Sequence, residues 1–249
     1  MRFMGGKFRQ SKQIAKIIGE RHGKGFHYCE PFAGGMWSAT RVIKELNPTQ
    51  VLLSDINRPL VLLWQGLIDG SITLPTYCTQ ETHAKYKETQ DPDDPLTAWY
   101  GIACSFGGMW YGTFARRERG DTIYDCTPDI KSTMKKIAIL RQAHNLELNC
   151  QDYWDQTKDL QDWVIYLDPP YDNSMKVHGF SGSFDYPLFY DRARFLGQYN
   201  DVYITCFDAP ENTVTLFEWG NTTTTVSSSK GQSGYRHKKK VNEKLIQLF

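Results

Sequence analysis

The stretch from Phe26 to Asp55 constrains this chain more than any other, because strand, glycine turn, helix and second strand follow one another without a break. Phe26 to Glu30 is short and aromatic-rich, and Pro31-Phe32-Ala33-Gly34-Gly35 comes directly after it. A helical pattern then runs from about Trp37 to Leu46 and stops before Asn47-Pro48, and Val51 to Ser54 is a buried strand ending at Asp55. This is the first half of a doubly wound sheet. A helix is predicted before it over 11–22, with Ile14, Ile17 and Ile18 on one face and Gly23 and Gly25 as stop signals. Another is predicted from Pro59, a favoured early helical residue. Strand patterns resume at 146–150, Trp163 to Leu167 and Val202 to Cys206, and Lys244 to Phe249 reads as a last strand. The expected class is α/β: a mostly parallel sheet with helices on both faces.

Between these halves the character changes. Pro, Asp and Thr punctuate the chain around 75 and 91–95, and a dense Trp, Tyr, Gly and Arg stretch runs from Trp99 to Arg119. The division read from this is a discontinuous domain, 1–66 with 146–249, split by a mainly helical insert over 67–145. A chain of 249 residues with 40% hydrophobic residues is long enough for that arrangement. No apolar run approaches the roughly 20 residues that cross a bilayer, and the first residues lack a signal peptide's hydrophobic region. Six scattered cysteines without a CxxC pair read as reduced thiols, so a cytoplasmic protein is expected.

Chemistry concentrates at Asp168-Pro169-Pro170-Tyr171, directly after the apolar strand and so at the carboxyl edge of the sheet, where open α/β folds bind ligands. An exocyclic amine on a base is a poor nucleophile, because its lone pair is delocalised into the ring. The Asp168 carboxylate and the Pro169 carbonyl can each accept a hydrogen bond from such an amine, while the prolines stiffen the loop and donate nothing. Tyr171 can stack on an extruded base. The second element, Glu30 to Gly35, lets backbone approach a nucleoside-bearing ligand, and Asp55, about 20 residues on, suits ribose hydroxyls. Bulky Met36 occupies the place of the third glycine of a diphosphate loop, which argues for a cofactor without a phosphate.

The ordered motifs Gly5-Gly6-Lys7, Pro31 to Gly35, Ser54-Asp55-Ile56-Asn57 and Asp168 to Tyr171 resemble those of the Dam-like (D12 class) DNA adenine-N6 methyltransferases. Lys238 to Ile246 is similar to that family's closing basic-to-hydrophobic segment. The resemblance covers about 1–65 and 146–249. It implies a class I methyltransferase fold using S-adenosylmethionine, with Asp168, Pro169, Pro170 and Tyr171 at the target base. It further implies Phe3, Lys7, Glu30, Phe32, Gly34, Gly35, Asp55, Asp152 and Asp168 around the cofactor. Asp152 stands before an aromatic as in the family, although Gln151 replaces the usual glycine.

The same resemblance makes the insert the reader of double-stranded DNA. Trp110 or Tyr111 would wedge into the duplex, and Arg116, Arg117 and Arg119 would meet phosphates or guanine edges. The family's usual asparagine-containing run is missing there. Residues 1–25 carry seven Lys and Arg against the single acid Glu20, and 236–240 read Arg-His-Lys-Lys-Lys, so Arg236 and Lys238 join the candidate phosphate contacts. None of the six histidines falls in a recognisable ligand motif, and no metal is expected. Two rivals stay open: an N4-cytosine methyltransferase, whose target amine poses the same problem, and a non-catalytic DNA-binding protein on the same fold. Pocket chemistry alone does not separate DNA from RNA.

Overall fold

A computed structural model describes residues 1–118, 120–171, 184–225 and 238–248. In chain order its first elements are α1 (Ser11–His22), β1 (His27–Glu30), α2 (Trp37–Leu46), β2 (Gln50–Asp55) and α3 (Arg58–Asp69). The middle segment holds β3 (Tyr77–Thr79), α4 (Gln80–Thr89), α5 (Pro95–Ala98), β4 (Ile123–Asp125) and α6 (Thr127–Leu140). The chain then forms β5 (Leu146–Cys150), α7 (Tyr153–Thr157), β6 (Trp163–Leu167), α8 (Tyr186–Gly197), β7 (Asp201–Cys206), β8 (Thr213–Thr225) and β9 (Lys238–Leu248).

Local chemistry sets the boundaries that position the site. Gly23 ends α1 at φ +70°, and Asn47 ends α2 at φ +48°, a left-handed cap that asparagine tolerates. Asn57 starts α3 by accepting a hydrogen bond from the Leu60 amide at 3.2 Å, with Pro59 in the first turn.

Seven strands form one sheet in the order β5-β2-β1-β6-β7-β9-β8. The first five are parallel, and β9 runs antiparallel to both neighbours. The strand order reverses between β1 and β6, so the loops after those two strands open onto a common crevice. Side-chain alternation divides the core accordingly. Tyr28, Val51, Leu53, Tyr166, Tyr203 and Leu245 face α1, α2 and α3, whereas Cys29, Leu52, Ile165, Ile204 and Ile246 face α7 and α8.

The α/β class with helices on both sheet faces is as expected, and two departures are instructive. The last strand begins at Lys238 rather than Lys244, because the basic run continues the pairing with β8 that a solitary tail would lack. Both β8 and α8 went unread, although β-branched threonines favour the first, and Asp185 caps the second by accepting from the Leu188 amide at 3.0 Å. In the segment 67–145, Trp99, Ile102, Phe114, Tyr124, Ile137 and Leu140 belong to the same apolar cluster as residues of α1, α2 and α3.

Candidate active site

The glycine loop after β1 is clamped from several sides. The Gly34 amide donates to Asp55 Oδ2 at 2.9 Å, and the Asn57 amide donates to Asp55 Oδ1 at 2.9 Å. The Trp64 indole donates to the Gly34 carbonyl at 3.0 Å, and Lys136 Nζ on α6 donates to the Gly35 carbonyl at 2.5 Å while lying 3.3 Å above the Trp37 ring. Burial pushes the Lys136 ammonium down to about 7, with Asp129 opposing. Burial also pushes the Asp55 carboxyl up, against the backbone amides that stabilise its charge.

The glycines themselves are required by the protein's own packing. A Cβ on Gly34, whose φ is +43°, would lie 3.0 Å from Phe3 Cε1, and one on Gly35 would lie 2.8 Å from Phe3 Cβ. Close approach at this turn is therefore made by Phe3 as well as being open to a ligand in the cavity that Gly34 and Gly35 line. Phe3 is held in turn where the Met4 amide donates to the Gly108 carbonyl at 3.1 Å.

Across the crevice, Asp168 leaves β6 with one oxygen already engaged. Its Oδ1 pairs with Lys7 Nζ at 2.7 Å and accepts from Thr205 Oγ1 at 2.7 Å, with the Tyr171 hydroxyl at 3.4 Å. Among the described residues no hydrogen bond reaches Oδ2. Burial raises the Asp168 carboxyl, and Lys7 and Thr205 work against that rise. Burial alone would lower the Lys7 ammonium, but Asp168 and Glu243 outweigh it and hold it above its ordinary value. Lys7 thus meets the Asp168 carboxylate directly, whereas the family likeness implied a cofactor contact; it still lines the cavity.

Glu243 on β9 had not been singled out. Its carboxylate accepts from the Tyr171 hydroxyl at 2.5 Å and from Gln10 Nε2 at 2.8 Å, and it lies 3.2 Å from Lys7. The signal for it was an acid in register with Leu245 on the inward side of a strand. Tyr171 is further held against Phe207, with ring centroids 4.4 Å apart, and its phenol is raised well above the usual range by burial and the neighbouring carboxylates. The Pro170 carbonyl accepts from the Tyr186 hydroxyl.

These two loops and the N-terminal segment enclose a cavity of about 250 Å³. Phe3, Lys7, Glu30, Phe32, Gly34, Gly35, Asp55, Asp152, Asp168, Pro169, Pro170 and Tyr171 all line it, so the residues predicted around cofactor and target converge on one place. Sequence reasoning missed Trp37, Tyr153 and Phe184, which also line it; Phe32 stacks on Tyr153 with centroids 5.2 Å apart. Asp152 caps α7 by accepting from the Trp154 amide at 2.9 Å. Glu30 accepts from the Tyr28 hydroxyl at 2.8 Å, and its carboxyl is pushed up to about 8 by burial and the nearby Asp168, against the Tyr28 bond and Lys7.

The candidate DNA contacts separate. Trp110 lines the same cavity and donates from its indole to Gln90 Oε1 at 2.9 Å. Tyr111 is corrected: it is buried at 5% exposure, its hydroxyl donates to the Thr97 carbonyl at 2.8 Å, and its ring packs on Gly101, so it is a core residue rather than a wedge. Arg116 and Arg117 are exposed, the latter paired with Asp125 at 3.2 Å. Phe106 is 65% exposed on the tight turn before Trp110. Lys238 pairs through its backbone with Thr225 at the start of β9, and Arg119 and Arg236 lie outside the described residues. Among the described residues no His, Cys, Asp and Glu grouping could hold a metal, and no helix is long and apolar enough to cross a membrane.

Sheet order and a site at its switch point define this as a protein of the class I methyltransferase fold. By comparison, residues 3–94 match the family model of the D12 class N6 adenine-specific DNA methyltransferases. The matched part includes Phe3, Lys7, the glycine loop and Asp55, and ends before Asp168. Among solved structures, the chain is similar to a candidate methylase of Haemophilus influenzae at 13% identity, with a TM-score of 0.35, covering 95% of this chain and 98% of that one. No curated protein matches it.

Proposed function

We propose that this methyltransferase moves a methyl group from S-adenosylmethionine to the N6 amine of an adenine flipped out of double-stranded DNA. The observation that carries the reading is the division of labour on Asp168: Oδ1 is saturated by Lys7 and Thr205, and Oδ2 has no partner among the described residues. A carboxylate oxygen left in this state beside a rigid Pro-Pro turn is an acceptor for an amine hydrogen, and the Pro169 carbonyl can take the second. Both bonds draw the nitrogen lone pair out of conjugation, and the carboxylate stabilises the positive charge that grows on the nitrogen.

The residues present suit a sulfonium nucleoside. Carboxylates at Asp55 and Asp152 can accept from hydroxyl and amino groups, the stacked Phe32 and Tyr153 offer an aromatic wall, and Met36 stands where a diphosphate loop needs its third glycine. When bound, S-adenosylmethionine supplies the electrophilic methyl group. Extruding a base costs a few kcal/mol, and stacking on Tyr171 offsets part of that. The segment 67–145, with Trp110 already in the cavity wall and Arg116 and Arg117 exposed, supplies the DNA-reading surface in this proposal.

The test is transfer of labelled methyl groups to DNA lacking prior methylation, followed by digestion and identification of the nucleoside. N6-methyladenine is expected with the wild-type chain, and Asp168→Ala should abolish it while duplex binding persists. N4-methylcytosine would establish the rival chemistry; turnover retained in Asp168→Ala would remove the proposed mechanism.

A further inference from the structure

Two carboxylates and one ammonium meet at the end of the sheet. Lys7 Nζ lies 2.7 Å from Asp168 and 3.2 Å from Glu243, and the side chains of Lys7 and Glu243 are only 4% and 3% exposed. Lys7 alone would cancel the charge of Asp168 and so leave nothing to favour a cation beside it. With Glu243 present, the formal charge of the three is minus one. The methyl donor carries a sulfonium cation, and the reacting amine becomes cationic as it is methylated, so a single net negative charge is what both demand.

We propose that Glu243 is a positioning residue of the methyl-transfer site: it neutralises Lys7 so that Asp168 keeps its charge for the substrate, and it holds the Tyr171 hydroxyl in place. This rests on the methyltransferase reading above. The second half follows from the 2.5 Å bond, which ties a residue of the last strand to the loop after β6, seventy-two positions earlier. Gln10 completes the arrangement by donating to the other carboxylate oxygen at 2.8 Å. Glu30, the other acid nearby, keeps its proton near neutrality because burial raises it, and adds no charge to the count.

The experiment is calorimetric titration of S-adenosylmethionine and of neutral S-adenosylhomocysteine into three proteins, with single-turnover methyl transfer measured in parallel. Glu243→Gln keeps the shape and an oxygen for Tyr171 but removes the charge. Its preference for the sulfonium over the neutral thioether should fall about fivefold or more, and its transfer rate about tenfold. The double variant Lys7→Gln with Glu243→Gln restores a net charge of minus one and should recover the binding preference, an outcome that general destabilisation by either substitution cannot produce. A preference in Glu243→Gln within about twofold of wild type, or no recovery in the double variant, overturns the inference. Wild-type protein that binds neither compound overturns the functional reading along with it, whereas normal wild-type binding and transfer with an indifferent Glu243→Gln overturns this inference alone.

Discussion

Gly35→Ala offers a sharp measurement of how the N-terminal segment and the glycine loop fit together. The added methyl group would sit 2.8 Å from Phe3 Cβ, 3.1 Å from its Cγ and 3.3 Å from Trp37 Cδ1. Because Cβ is fixed to the backbone, Phe3 cannot relieve the contact by a rotamer change, and the chain there is pinned by the bond from Met4 to Gly108. Overpacking of this kind costs about 1–3 kcal/mol, while replacing glycine by alanine at a permitted conformation stabilises by roughly 0.4–1 kcal/mol through the unfolded chain. The net loss should be about 1–2 kcal/mol, a fall in Tm of roughly 2–8 °C for a chain of this size. In a Phe3→Gly background the obstructing atom is gone, and the same substitution should become neutral or slightly stabilising. Phe3→Ala keeps Cβ and should not rescue it. Urea unfolding of the wild type and the five single and double variants gives the couplings directly. An equal cost of Gly35→Ala in the wild-type and Phe3→Gly backgrounds would refute the steric argument.

Two further outcomes follow from the charges. Glu30 has a folded pKa of about 8 against an ordinary 4.5, so the folded state keeps a proton that the unfolded chain releases between those values. Its contribution is full below pH 4.5 and lost as pH rises to 8, and the stability of wild type relative to Glu30→Gln should decline across that window by up to about 1.4 kcal/mol per pH unit. Parallel unfolding curves from pH 5 to 8 would contradict it. Neutralising exposed Arg116 and Arg117 to Gln should weaken duplex binding and flatten the plot of log affinity against log salt by about 1–2. Anisotropy titrations over a salt series check this, and an unchanged slope takes these arginines out of the interface.

Much of the sheet was legible because each parallel strand is a short apolar run closed by a turn signal: β5 and β6 keep the bounds read from sequence, and β1, β2 and β7 shift by only a residue or two. The ends of α2 were equally plain, since Asn47-Pro48 stops a helix and Gly35-Met36 precedes one. What stayed hidden depends on partners far along the chain. The length of β9 is set by β8, whose threonines favour a strand without fixing its bounds. Tyr111 reads as a surface aromatic until the Thr97 carbonyl and Gly101 are seen to enclose it. Glu243 looked like one charge in a basic tail, and only the antiparallel register beside β7 carries it to Lys7, the partner of Asp168.

Lys136 gives the molecule a modular constraint. A lysine of the middle segment reaches a carbonyl of the glycine loop 101 positions earlier, with its amino group over the Trp37 ring. Transplanting the segment 67–145 from another chain, the exchange that its proposed DNA-reading role invites, also exchanges the lysine beneath the loop. A chimera without a lysine at this place leaves the Gly35 carbonyl buried without its donor and the face of Trp37 without the amino group that covers it. Its defect would register as poor handling of the nucleoside, far from the exchanged arginines, and a search for altered target preference would discard as inactive a graft that one lysine repairs.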